Sequence, residues 1–539
     1  MRISYASFLL AICTSSLCLG CKGKPPSGPT QHELTLYKMP ATQKPSNVVT
    51  SIPVSITSNV QVVDLIPPPY SYETNQDSEP NISVSSLHAD HLAASAFTPG
   101  PFDQASKFCP DSLSPVFVSS DSGVSWSLNC IVPTYPSTFD ITLRYGPISD
   151  DLYASVLLNN SSQLEVLRET STAASTPMEV LLTRTPFDQP YLETARLNGG
   201  ESVLVGENNC CGMPAAVGGR SASVDISLNP GAVHPTFLKT VLEQRETYGD
   251  DLASVRVAVH EADSTVYALF SGLTGLSDDQ STYLTSLSIV RDDRGGTSSP
   301  PFQALKDASD GKVGRLIAKN VSMPDGYLGN QRLSSQSHCS IAADPRQIPN
   351  YPVYVAWVDS DGSGLPSLHV SVSLDKGLNW FSRSVDAGGK SAIPNATNPA
   401  LAVNQDGVVA LIYQQLTSGM WETHIILSAD GFGTKSDIVL SRFPDAEVAR
   451  QFDPFIGDYL HLLALGRDFY GIFSASNKPD YTHFPFVSTY GKDKLIYQRD
   501  VDFEKGLLLD RANNIANVAP SIDPFFVKVT LQAPQSRLP

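Results

Sequence analysis

Charge is scarce in this 539-residue chain, where 17% of residues are Asp, Glu, Lys or Arg. What there is leans acidic: 54 Asp+Glu against 37 Lys+Arg, a formal net charge of −17. No Lys/Arg-rich run exists to neutralise phosphates, which argues against a nucleic-acid partner. Beyond the amino terminus no segment reaches eighteen consecutive apolar residues, so none reads as a membrane-spanning helix. CxxC pairs, Cys/His zinc spacing, H-E-x-x-H, G-x-S-x-G and a phosphate-cradling glycine loop are all missing, so no metal and no cofactor is expected. Long helices are disfavoured by 40 prolines, since each interior Pro costs about 3 kcal/mol. What remains is abundant Ser, Thr, Pro, Tyr and Phe, the composition of an extracytoplasmic all-β protein.

The amino terminus supports that compartment. Met1-Arg2 is followed by an apolar run from Ile3 to Ile12, then small residues, the pattern of a short secretory signal over residues 1–20. Leu17-Cys18-Leu19-Gly20-Cys21 resembles a bacterial lipobox, which implies lipidation of Cys21; ordinary cleavage nearby is the alternative. Lys22 stands where an inner-membrane retention signal has Asp, so the resemblance implies an outer-membrane lipoprotein, periplasmic or surface-exposed. Residues 21–78 are rich in Pro, Ser, Thr and Asn and read as a disordered tether, with a short strand near Val60 that could dock on the body. Of the eight cysteines, Cys109 and Cys130 bracket an expected hairpin, and Cys210-Cys211 are adjacent; all read as structural.

From residue 79 to 532 one unit recurs: a short apolar strand, a turn, then a strand of small, β-branched and aromatic residues. These second strands are expected at 92–97, 152–157, 202–206, 266–270, 353–357, 408–413 and 469–473. Third strands are expected at 115–119, 164–168, 223–228, 284–291, 368–373, 423–428 and 495–499. Seven antiparallel units averaging about 65 residues describe an all-β β-propeller, seven-bladed with six as the alternative, followed by a tail over 533–539. A pair of β-sandwiches is the competing architecture.

Three expected third strands run into a related turn. Ser119-x-Asp121-x-Gly123-x-Ser125-Trp126 and Ser373-x-Asp375-x-Gly377-x-Asn379-Trp380 are good copies, and Ser428-x-Asp430 opens a degenerate third without Trp. The carboxylate can accept turn amides, Gly can take φ > 0, and Trp can pack between sheets. These turns resemble the Asp-box, or bacterial neuraminidase repeat, of the sialidase superfamily. The resemblance spans about 79–532 and bears on fold more than on catalysis, because in that family the boxes sit away from the cleft.

In sialidases three arginines clamp the substrate carboxylate, a Tyr activated by a Glu is the nucleophile, and an Asp is the acid/base. By that resemblance the catalytic candidates are Asp188, Tyr459 and Glu261, with Glu193 as another partner for the Tyr. The substrate-binding candidates are Arg144, Arg184, Arg256, Arg332, Arg450, Asp453 and Asp458, and His338 lies at a corresponding position. Thr183-Arg184-Thr185-Pro186 has the shape of the family's first-arginine motif, but at the entrance to the third unit rather than the first. For each arginine an ordinary ion pair is the competing reading, and for each Asp a carboxylate receiving backbone amides at a strand entrance. Asp359-Ser360-Asp361-Gly362 reads as a polar hairpin rather than a calcium loop, because position twelve is Val370. The expectation is a monomeric, glycan-directed propeller of exo-sialidase type, with a non-catalytic glycan- or protein-binding surface propeller, or an envelope assembly protein, as alternatives.

Overall fold

The computed structural model describes residues 58–98, 115–129, 132, 138–158, 163–170, 177–185, 187–209, 220–252, 254–278, 282–333, 339–360, 364–386 and 391–532. The signal and Cys21, the cysteines at 109, 130, 210 and 211, His338 and most of the 361–364 turn lie outside them. Among the described residues strands dominate, helix is confined to short turns, and no helix is long and apolar enough to cross a membrane.

Seven antiparallel sheets of four or five strands follow one another along the chain. Their first strands are Ser78–Val84, Thr138–Tyr145, Asp188–Leu197, Arg256–His260, Cys339–Ala343, Ala396–Val403 and His461–Leu465. Each first strand touches the first strand of the next sheet, and the seventh touches the first, so the contacts form a circuit. Both faces of a first strand can be covered: every residue of Ala396–Val403 is buried. Apolar residues of neighbouring sheets interleave at each seam, as where Tyr354 and Val370 of the fifth sheet join Leu411 and Phe432 of the sixth.

The seventh sheet departs from expectation. Its third strand is Ile522–Leu531, not 495–499, and its fourth is the amino-terminal strand Ser58–Asp64, paired from Ser58↔Leu531 to Asp64↔Phe525. Leu495–Tyr497 instead lies parallel to that strand at the sheet's edge. The folded body therefore includes Ser58–Asp64, upstream of the boundary expected at residue 78. The reason is backbone pairing: a C-terminal strand with Phe525, Phe526, Val527 and Val529 fully buried needs a partner on its open side, and the alternating apolar residues Val60 and Val62 supply it.

The three related turns adopt one geometry. Asp121 Oδ1 receives the amides of Val124 and Ser125 at 3.1 and 2.9 Å, and the Ser119 hydroxyl receives that of Gly123 at 3.0 Å. Asp375 receives Asn379 N at 2.8 Å, and Asp430 receives Thr434 N at 2.7 Å. Trp126 Nε1 donates to Gly123 O and Trp380 Nε1 to Gly377 O, at 3.1 and 3.0 Å. Each turn abuts the preceding sheet: Trp126 meets Phe526 edge-on, Lys376 O lies near Tyr267 OH, and Phe432 meets Tyr354. A Cβ on Gly123 would fall 2.3 Å from the Phe526 ring, so that seam admits no side chain there.

Candidate active site

Several first strands open with the same local irregularity. Pairing to the second strand slips between Ser78 and Asn81, between Asp188 and Tyr191, and between Thr397 and Ala400. In each slip a residue preceding proline takes a left-handed conformation: Glu79, Gln189 and Asn398, with φ of 55°, 43° and 53°. A fourth slip, between Thr138 and Ile141, carries Asp140. Such bulges re-aim side chains at a strand's start, and non-glycine residues hold positive φ only where the surroundings over-determine it. Here they do: Gly457 packs so close that a Cβ would fall 2.5 Å from Glu79 N, while its carbonyl receives Gln331 Nε2 at 3.1 Å and Asn398 Nδ2 at 2.8 Å.

The result is a convergence of carboxyl groups. Tyr459 O–H donates to Asp140 Oδ1 at 3.1 Å. Glu79 and Asp140 also share a side-chain hydrogen bond, which raises Glu79 and holds Asp140 down against the desolvation that raises it. Arg332, on the hairpin Gly326–Leu328/Gln331–Leu333, donates through Nη2 to Asp458 Oδ2 at 2.8 Å. Buried Asp458 Oδ1 and Arg332 Nε have no hydrogen-bond partner among the described residues, leaving one acceptor and one donor beside Asp188.

Burial governs the protons. Desolvation first, then the neighbouring Asp140, push Asp188 up to about 7 against the Gln189 amide and Arg332. Desolvation pushes Asp458 up to about 6, held back by Arg332. Glu79 is raised well above its ordinary range by burial and by Asp140 and Asp458. Burial, then Asp140 and Glu79, raise the Tyr459 hydroxyl, with Arg256 opposing. A carboxyl that holds its proton to near neutrality is matched to acid/base work, and a phenol bonded to a carboxylate has a group to take its proton.

Beneath this layer the arginines pair with rings. Arg256 lies 4.7 Å from the Tyr191 ring centre and 5.8 Å from that of Tyr459. Arg144 faces Glu193 at 3.3 Å and lies 2.5 Å from His461 Nε2. At the rim Asp453 receives Arg450 at 2.9 Å and Tyr327 O–H at 2.8 Å.

The expected residues thus divide. Asp188, Tyr459, Asp458, Arg332, Arg256 and Arg144 come together, with Arg450 and Asp453 at the margin. Arg184 does not: it ends the outermost strand of the second sheet and pairs with Asp225 at 3.0 Å. Glu261 does not either. It follows the far end of Arg256–His260, where it accepts the Arg196 amide at 2.7 Å. Glu193 is bound to Arg144, so the partner of Tyr459 is Asp140, which with Glu79 was missed. Glu79 had a signal in sequence, the shared residue-Pro entrance of Glu79-Pro80, Gln189-Pro190 and Asn398-Pro399; Asp140 had none.

No protein-family model matches the chain, and no curated protein matches it. Among solved structures, a PL25 ulvan lyase bound to -[GlcA(1-4)Rha3S]- is similar at 10% identity and a TM-score of 0.42, over 75% of this chain and 92% of the lyase. The phage phi92 endosialidase is similar at 11% identity and a TM-score of 0.38, over 90% of this chain and 71% of that one. A mutant Trypanosoma rangeli sialidase displaying trans-sialidase activity is similar at 12% identity and a TM-score of 0.32, over 55% of this chain and 44% of its own. At these scores the likeness bears on neither the activity nor the site residues of this chain.

Proposed function

We propose that the chain is a sialidase-like β-propeller of seven blades, Asp-boxes included, and that it hydrolyses a glycoside where the first strands begin. The observation that carries the reading is Tyr459 O–H bonded to Asp140 beside Asp188, an acid pushed up to about 7. In this scheme Tyr459 attacks the anomeric carbon as its proton passes to Asp140. Asp188 protonates the departing oxygen, then takes a proton from the water that releases the sugar from Tyr459. Arg332 and Arg256 are the cations nearest a carboxylate-bearing sugar. Because Arg332 already faces Asp458 and Arg144 already faces Glu193, a sialoside is the narrowest form of the proposal and glycoside hydrolysis the broader one.

The test is turnover of a fluorogenic sialoside, with neutral and uronic-acid glycosides in parallel. Asp188→Asn and Tyr459→Phe are each expected to lower kcat by about 10²–10⁴-fold in the folded protein. If the folded chain turns over none of the glycosides, the hydrolase reading is wrong. A second reading, a non-catalytic glycan- or protein-binding propeller, is favoured by the arginines being paired internally. It predicts glycan retention that survives Tyr459→Phe. The proposal also places the chain in the bacterial envelope as a monomer lipidated at Cys21.

A further inference from the structure

A second carboxylate cluster lies where the two ends of the folded body meet, outside the proposed active site and independent of it. Asp64 ends the amino-terminal strand, Glu73 and Asp77 lie in the segment leading to the first sheet, and Asp523 begins the last strand. Glu73, Asp77 and Asp523 each offer a carboxylate oxygen, and these oxygens all lie within 4.8 Å of one another. One guanidinium faces the four acids: Arg499 donates to Asp523 Oδ2 at 2.6 Å and to the Ser71 and Glu73 carbonyls at 2.9 and 2.7 Å.

The hydrogen bonding of the cluster is lopsided. Asp523 is well supplied, receiving Asn477 Nδ2 and Ser521 O–H on its other oxygen, each at 2.7 Å, while Oδ2, with Arg499 alone, keeps a lone pair. Asp77 is 0% exposed, yet neither of its carboxylate oxygens has a partner of normal geometry, although the Thr98 hydroxyl lies beside it. Glu73 Oε2 and Asp64 Oδ2, also buried, have no partner among the described residues. Acceptors without donors, turned toward one another and away from water, are what a cation satisfies and what a single guanidinium cannot.

We propose that this cluster binds one divalent, oxygen-preferring cation of calcium's size through Glu73, Asp77 and Asp523, tying the start of the folded body to its end. The ligand set is entirely carboxylate, with no His or Cys to favour a transition metal. The spacing fits as well. Calcium–oxygen distances of about 2.4 Å let two ligand oxygens of one ion stand up to about 4.8 Å apart, and the three oxygens lie within that limit. The pairing of Arg499 with Asp523 and the Glu73 carbonyl fixes two of the three ligand-bearing residues before any ion arrives. The rival state is a set of carboxylic acids that keep protons instead.

The test uses the whole chain, stripped with EDTA and titrated with calcium, with magnesium in parallel. A saturable rise in Tm of about 3 °C or more is expected with calcium, a smaller one with magnesium, and none in Asp77→Asn. Equilibrium dialysis of the unsubstituted protein should give one calcium per chain, so the question stays open to refutation if the variant does not fold. A Tm indifferent to both EDTA and millimolar calcium, an unaltered response in Asp77→Asn, or no bound calcium would overturn the proposal.

Discussion

Asp77 and Glu79 are two residues apart, yet they serve different clusters. Asp77 feels Glu73, Asp523 and Arg499, whereas Glu79 feels Asp140, Asp458 and Arg332. The two assemblies share an inventory of four acids and an arginine, and they differ in access. The Arg499 side chain is 0% exposed and Arg332 is 30% exposed. They differ also in donors: Asp140 accepts from the Tyr459 phenol, whereas Asp77 has oxygens with no donor of normal geometry. Raised carboxyl pKa values alone therefore do not mark a reaction centre. The central group has a partly exposed edge at Arg332, and the closing group is buried at Arg499.

The sharpest way to break this contrast is to remove each guanidinium. Arg499→Met leaves buried carboxylates uncompensated and is expected to destabilise by about 3–5 kcal/mol in chemical denaturation. Arg332→Met removes a partly exposed guanidinium and should cost less stability than Arg499→Met, acting on substrate affinity as well. Equal losses would erase the distinction.

Next in size is a pH effect at Asp188. Its ordinary value is 3.8 and burial raises it to about 7, so the unfolded chain gives up this proton before the folded one does. The penalty on folding is absent below about pH 4, grows through the window and is complete above about pH 7. Asp188→Asn, which cannot ionise, should therefore be more stable than the parent by about 2–4 kcal/mol at pH 8 and by little at pH 4. Parallel stability curves across that range would show that Asp188 is not held protonated. Smaller still is Gly457→Ala, at φ 97° with Glu79 N in the way. It is expected to cost about 1–3 kcal/mol and to lower turnover more than its stability loss explains, because it displaces Glu79 from Asp140.

The sheets were legible where local pattern sufficed. Second strands such as Leu92–Phe97 and Val353–Ser360 fall where apolar and β-branched residues cluster, and the Ser119, Ser373 and Ser428 turns carry their hydrogen bonds within a few residues. Ser58–Asp64 and Ile522–Leu531 carry no mutual signal, since their pairing spans nearly the whole body. Glu261 was misplaced because it follows the five-residue strand Arg256–His260: at about 3.3 Å per residue it stands roughly 16 Å from Arg256, so Arg256 reaches the site and Glu261 cannot. Arg184 matched a motif by letters while lying on a sheet's outer strand. Asp140 acquires meaning only from Tyr459, over three hundred residues away in sequence, and Glu73 and Asp77 only from Asp523.

The pairing of Ser58–Asp64 with Ile522–Leu531 sets a schedule. Each of the first six sheets is built from consecutive strands and can assemble as its own stretch of chain emerges, but the seventh waits for Ile522–Leu531. Until then the amino-terminal strand has no ladder, and Trp126 faces a gap that Phe526 has yet to fill. A nascent molecule thus carries an open apolar slot and an unpaired edge for most of its synthesis, both invitations to the wrong neighbour. Ending the chain before Ile522 would leave that waiting state permanent.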